Sequence, residues 1–307
     1  MPSCSGIIHE DIELPLRLDR YIAEHLKLMT RSQVKTVELQ AVVNGKSVKN
    51  SRPVLKGDHF DLKWKETGPS TLVPEDLTLD VLYEDSHVIV INKQQGMVVH
   101  PAPGNRSGTV ANALLYRRCG GVPGEASRPG IVHRLDKDTS GVLIAAYDAD
   151  TLLFLTQQFS ERFVRKYYLA VVYGKPREEK GRIETLIARD PHDRKRFAVR
   201  PDAGKYALTE YRILQTRGDH SLLLLQPKTG RTHQIRVHLR HIGHPILGDP
   251  LYGKPDPDYT LMLHALSLSL RIPGADSMHT FHAPAPDRFK AFLAGEIDCI
   301  IGSAGIF

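Results

Sequence analysis

The chain has 307 residues, 41% of them hydrophobic, enough to bury one large core and a smaller one. A net charge of +6, from 41 Lys and Arg against 35 Asp and Glu, is a mild bias toward polyanionic partners. The cysteines Cys4, Cys119 and Cys299 are too far apart for a disulfide framework or a CxxC metal knuckle. No signal-peptide pattern opens the chain and no apolar run approaches a bilayer span, so a soluble cytoplasmic protein is expected.

Residues 1–66 read as a separate small α+β unit. In RLDRYIAEHLKL, Leu18, Tyr21, Ile22 and Leu26 recur at helical spacing, leaving the charges on the other face. TRSQ follows, where Thr30 and Gln33 form a capping-box pair before a second helix that turns Val34 and Val37 inward. VVNGKSV sets Asn44–Gly45 between β-prone residues, a hairpin signal, and GDHFDLKW reads as a last strand. Residues 67–76 carry the Pro, Gly and Ser of a linker.

Residues 77–307 read as the main domain. VLYEDSHVIVINK gives two strands around a polar turn, and Pro- and Gly-rich loops follow. Further strands are expected at VLIAAY, KYYLAVVYG, TEYRIL and SLLLLQP. The clearest helix is DADTLLFLTQQFSERF, with Asp148 as its N-cap. Few helices separate the strands, so the fold class is α+β with a mixed, mostly antiparallel sheet.

The charge excess is local. Between Glu161 and Lys205 there are 13 basic and 7 acidic residues, and PKTGRTHQIRVHLR holds four basic residues and no acid. Either run suits a solvated face; together they favour a phosphate backbone. In GIVHRLDKDTSG, Asp136 stands just before a glycine-containing turn that leads into VLIAA, which suits a cap or a reactive carboxylate held at a cleft. A reactive carboxylate needs a cation, and Arg231 in TGRTHQIR offers one, although spacing alone does not bring the two together. DTSG departs from the aspartic-protease motif and has no second copy, and a glycosidase reading lacks a second carboxylate. His233, His238, His241 and His244 are dense, yet no carboxylate or cysteine completes a metal site; a solvated or RNA-facing surface is expected for His238, Arg240 and His241. No nucleotide-phosphate loop or dinucleotide fingerprint is present.

Taken in order, NKQQGMVVHPAPGN, GIVHRLDKDTSGVLIAA, RKYYLAVVYG, TGRTHQIRVHLRHIGHPILGDPLYG and LMLHA closely resemble the motifs of the RluA-type pseudouridine synthases, over about Leu16 to Phe292. The first 66 residues resemble the RNA-binding domain first seen in ribosomal protein S-four, although that domain usually has a glycine near Leu39 and a valine near Ala41. That domain and the VVHPAPGN wording are similar to the D-type large-subunit ribosomal RNA synthases. The resemblance implies a monomer that isomerises uridine to pseudouridine in RNA, most simply large-subunit ribosomal RNA, without metal, nucleotide or other cofactor. It implies Asp136 as the catalytic carboxylate, Arg231 as the cation pairing with it, and Tyr168 lying against the target base. It further implies Arg134 filling the space left by the everted nucleotide, an event costing roughly a few kcal/mol. Ile235 is expected to supply an apolar wall, Tyr167 and His133 to serve packing, and the segment from Arg162 to Lys205 to hold the RNA backbone. Two alternatives stay open: a tRNA-directed synthase, and an RNA-binding or ribosome-assembly protein on an idle copy of the fold.

Overall fold

The computed structural model describes residues 2–9, 15–29, 34, 39–64, 72–102, 104–118, 122–123 and 129–293. The chain divides into two compact units, Met1–Thr71 and Leu72–Phe307. The expected helix from Thr30 through Val37 lies outside the described residues except for buried Val34, as do the first five linker residues, Cys119, Cys299 and the tail after Leu293.

In the first unit, strands β1 (Ser3–Ile7), β3 (Gln40–Val43), β4 (Lys46–Val48) and β6 (His59–Lys63) form a sheet in the order β1-β6-β3-β4. Strand β2 (Leu16–Arg17) pairs with β5 (Pro53–Val54), and β2 leads directly into helix α1 (Leu18–Glu24). The hairpin expected at Asn44–Gly45 is present, with φ of 51° and 76°, the left-handed pair that a two-residue turn of this hand requires. Leu18, Tyr21 and Ile22 meet Val43, Phe60 and Leu62 in one small core. The expectation that α1 turns its charges outward fails at Asp19, which is 1% exposed. Arg17, just before the helix, lies over that carboxylate and donates to it from Nε and Nη2 at 3.1 and 2.8 Å.

The second unit is built on one ten-stranded sheet. Its strands are β7 (Val81–Glu84), β8 (Val88–Lys93), β9 (Ser140–Ala146), β10 (Arg165–Tyr173), β11 (Lys180–Arg189), β12 (Phe197–Val199), β13 (Lys205–Arg217), β14 (His220–Pro227), β15 (Leu263–Leu270) and β16 (His279–His282). The order is β12-β11-β13-β14-β10-β15-β9-β8-β7, with β16 on β15, and every strand pair is antiparallel except β15 with β9. The mostly antiparallel sheet expected from the sequence is therefore what forms. Strand β9, SGVLIAA, is buried at all seven positions, because both faces of the sheet are covered there. Val142, Ile144 and Ala146 face one core with Leu155 of helix α3 (Ala149–Ser160). Leu143 and Ala145, at the alternate positions, face another with Val110 and Leu114 of helix α2 (Val110–Arg117). Asp148 caps α3 as expected, accepting from the Thr151 N–H at 2.8 Å. A third core gathers β10, β14 and β15 around Ile235 and Leu239 of helix α4 (Gln234–His241). Among the described residues no helix is long and apolar enough to cross a membrane.

Candidate active site

Residues 131–139 form the loop that enters β9, an inner strand third from the β7 edge of the sheet. Gly141 must be glycine there: its φ is +113°, and a Cβ would lie 2.1 Å from the Ala265 carbonyl oxygen of β15. The parallel pairing of β9 with β15 is thus tight where the loop ends, and it fixes the loop's exit. The loop is also gripped from NKQQG. Lys93 Nζ donates to the carbonyls of Gln94, Met97 and Lys137 at 2.9, 2.9 and 3.0 Å, and Gln95 Nε2 donates to the Asp138 carbonyl at 2.9 Å. His133 serves packing, as expected. Its ring stacks on Phe159 at 4.6 Å, and its Nε2 accepts the Ile144 N–H at 3.1 Å, so the ring is neutral with its proton on Nδ1. Burial, and then the charge of Lys166, push this histidine down to about 3.

Held this way, Asp136 lines a cleft of about 450 Å³ with Arg134, Tyr168, Arg231 and Ile235, so the structure brings together all five residues singled out in the sequence. Tyr168 reaches the cleft from β10, between Leu225 of β14 and Ala265 of β15. Burial, then the charge of Asp136, raise its phenol above the ordinary value, and it stays protonated. Ile235 is 7% exposed and belongs to the core beneath. Arg134 is exposed at the rim, with Nη1 3.4 Å from His100 Nε2.

The cation expected to pair with Asp136 is the wrong one. Arg231 precedes α4 and turns away toward β13, where its Nε donates to the Tyr206 carbonyl at 2.9 Å. The partner is Arg236, the third residue of α4, whose Nη1 donates to Asp136 Oδ2 at 3.2 Å. Gln234 sets this geometry. It accepts from Thr229 Oγ1 and the Arg231 N–H at 2.7 and 3.0 Å, and donates to the Leu208 carbonyl and Thr209 Oγ1 at 3.0 and 2.9 Å. Arg236 is also locked from behind, donating from Nε and Nη2 to the two oxygens of buried Asp249 at 2.7 and 2.8 Å. Burial works against its charge, but Asp249 and then Asp136 more than offset that, and the guanidinium is held above its ordinary value.

His233, weighed in the sequence only as a metal ligand, also stands beside Asp136. It sits left-handed at φ 56° before α4, with Nδ1 2.9 Å from the Tyr252 hydroxyl and Nε2 3.8 Å from Asp136 Oδ2. The Phe197 N–H donates to the same hydroxyl, so Tyr252 ties His233 to strand β12. His238 is not surface at all. It is 0% exposed between the hydroxyls of Thr209 and Thr185, both at 2.9 Å, because α4 turns this position into the sheet. The basic segment from Arg162 to Lys205 is largely strand, and part of its charge is offset locally by Arg182–Glu184 and Arg196–Asp193.

Among the described residues six Lys and Arg side chains and one acidic one line the cleft, a composition that attracts a polyanion. A family model described as RNA pseudouridylate synthase matches residues 87–241, the span from β8 through α4. The chain is 44% identical to the ribosomal large subunit pseudouridine synthase D of Borreliella burgdorferi, over 96% of this chain and 95% of that one. It is 48% identical to an uncharacterized RNA pseudouridine synthase of Chloroflexus aurantiacus, over 90% of this chain and 89% of the relative. The solved structure of human RNA pseudouridylate synthase domain containing 1 aligns with a TM-score of 0.59 at 28% identity, covering 78% of this chain and 97% of that one. The matched span contains the Asp136 loop, Tyr168 and the α4 arginine, and the chain belongs to the RNA pseudouridylate synthase family.

Proposed function

We propose that this enzyme isomerises uridines of large-subunit ribosomal RNA to pseudouridine, with Asp136 as the reacting carboxylate. One observation carries the assignment to Asp136: among the described residues it is the sole acidic one lining a cleft rich in cations, with Tyr168 and Ile235 as its flat and apolar walls. In the reaction the C1′–N1 bond breaks, a C1′–C5 bond forms, the C5 proton leaves to solvent and N1 gains a proton. Arg236 aims the Asp136 carboxylate through one oxygen, Oδ2, while no described group hydrogen-bonds Oδ1. A carboxylate so held is oriented before substrate arrives, which saves reorganisation at the reacting step. Tyr168 stacks on the everted uracil, and its protonated phenol is a donor rather than a base at neutral pH. Ile235 closes the apolar side of the pocket, Arg134 enters the vacated stack, and Arg231 contacts RNA rather than Asp136. The first unit acts as an S-four-like RNA-binding module, and the protein works as a cytoplasmic monomer. The ribosomal target is supported by the Borreliella relative, a ribosomal large subunit pseudouridine synthase, which the chain matches almost end to end.

The test uses RNA carrying tritium at C5 of uridine, with unmodified ribosomal RNA and tRNA as parallel substrates. Native protein should release tritium from large-subunit RNA, and Asp136→Asn, nearly isosteric but uncharged, should release none. Release from tRNA alone would overturn the ribosomal assignment, and full release by Asp136→Asn would remove Asp136 from the chemistry.

A further inference from the structure

Lys166 precedes Tyr168 by two positions on β10, and both side chains line the cleft. Across from it runs the loop after β14, where a Cβ on Gly230 would stand 3.9 Å from Lys166 Nζ. The other cations of the cleft are engaged or in water. Arg236 is held by Asp249 and Asp136, Lys228 pairs with Glu210 at 3.0 Å, and Arg231 donates to Tyr206. Arg134 and Arg162 are exposed. Lys166 is different: it is half-buried, and among the described residues no group hydrogen-bonds or ion-pairs with its ammonium. Burial lowers the amine to about 8 with no nearby anion to offset it, and neutral His133 offers none. A cation kept partly dry without a partner costs stability, and only an arriving anion recovers that cost.

The substrate limits what that anion is. Uracil is neutral at working pH, whereas every nucleotide carries a phosphate on either side. Position agrees with this. Lys166 stands two positions before Tyr168, near the start of β10. It lies on the side of the strand that leads out to Arg165 and Arg162. We propose that Lys166 is a phosphate seat, taking one of the two phosphates that flank the target uridine and so setting the ribose over Asp136. The proposal rests on reading this cleft as the isomerase site.

The experiment compares native protein, Lys166→Gln and Lys166→Arg on a short RNA hairpin with a single loop uridine, the responding one once the tritium assay identifies it. A second set of hairpins carries a charge-free methylphosphonate at one or other linkage flanking that uridine. Lys166→Gln should raise KM at least tenfold with kcat changed less than threefold. It should also flatten the dependence of log Kd on log salt by roughly 0.7–0.9, one phosphate contact, while Lys166→Arg keeps the native slope. One methylphosphonate position should weaken native binding to the Lys166→Gln level and leave Lys166→Gln unaffected. Lys166→Gln should melt at or above native, because a purely structural lysine would be missed and an unpartnered ammonium is not. The seat is refuted if both methylphosphonates weaken native and Lys166→Gln alike, or if kcat falls with KM and salt slope unchanged, which would put the ammonium on the uracil instead. Slope and methylphosphonate comparisons are binding measurements, so they decide the seat even if no RNA releases tritium, an outcome that would instead overturn the reading of the cleft.

Discussion

Arg236 makes bidentate contact with one carboxylate and a single contact with another, and the two have different fates on mutation. Asp249 is 0% exposed and also accepts the Leu251 and Tyr252 N–H groups at 2.9 and 3.0 Å, so without its arginine it is left a buried carboxylate with two backbone donors and no cation. Arg236→Met therefore strands a buried charge, a change that costs about 3–5 kcal/mol. Its urea midpoint should drop sharply and its tritium release should vanish. Arg236→Lys keeps the charge but presents one ammonium where three N–H contacts are made, so it should fold better than Arg236→Met yet lose most of the rate. Arg231→Ala is the contrast, because that side chain is part-exposed and bonded to a carbonyl. It should melt within about 0.5 kcal/mol of native, keep kcat within tenfold and weaken RNA binding. Equal losses in Arg231→Ala and Arg236→Met would mean that the pair seen here is not the one used in the reaction.

At the scale of elements, the parallel contact of β9 with β15 decides where Asp136 stands. Gly141→Ala would press a methyl group into the Ala265 carbonyl at a backbone angle that L side chains avoid. A loss of about 1–3 kcal/mol is expected from the backbone angle alone, with a fall in kcat exceeding the fall in folded fraction, since the strand must shift and the loop with it. Melting and single-turnover rates on one preparation check this. The same scale explains what could be read in advance. Strands β8, β9, β10 and β14 announce themselves as apolar runs, because they lie well inside the sheet. Strand β11, KGRIETLIAR, does not: its faces are largely wet, and its sequence reads as a charge run. The HRLD loop was legible because a carboxylate before a tight turn is conspicuous. Arg236 was not, since its anchor Asp249 lies 13 residues further on and α4 is only eight residues long. In the structure QIRVHLRH buries its first six residues, and a buried arginine demands a buried carboxylate, a requirement that only the packing of α4 reveals.

Across the whole molecule, buried bases rather than surface charge set the response to pH. His133, His238 and His264 belong to three different elements and are neutral for the same reason, burial, which lowers them to about 3, 4 and 4. Each is also wired as a neutral ring: His264 Nδ1 meets Ser140 Oγ at 2.9 Å, and His238 spans two threonine hydroxyls. Above the unfolded value of about 6.5, neither folded nor unfolded chain binds these protons. Below it the unfolded chain takes them and the folded chain does not, so stability falls as pH drops. The fall continues to about 4 for His238 and His264 and to about 3 for His133. Each histidine contributes a slope of up to about 1.4 kcal/mol per pH step, so the three together approach about 4. The paired carboxylates Glu84, Asp148 and Asp249 have lowered values and add to the loss only below about pH 4.5. The window from pH 6.5 to 4.5 therefore belongs to the histidines. Lys93 and Lys166, lowered to about 8 mainly by burial, tilt the alkaline side the same way: from pH 8 to 10 the unfolded chain holds protons the folded one has released, so stability rises. Urea midpoints measured from pH 4.5 to 9.5 should climb through both windows. His238→Gln should remove about a third of the acid slope and Lys166→Gln part of the alkaline one. A flat acid window in the native protein would mean that these rings take up protons without unfolding, and that the sheet is not packed around them as described.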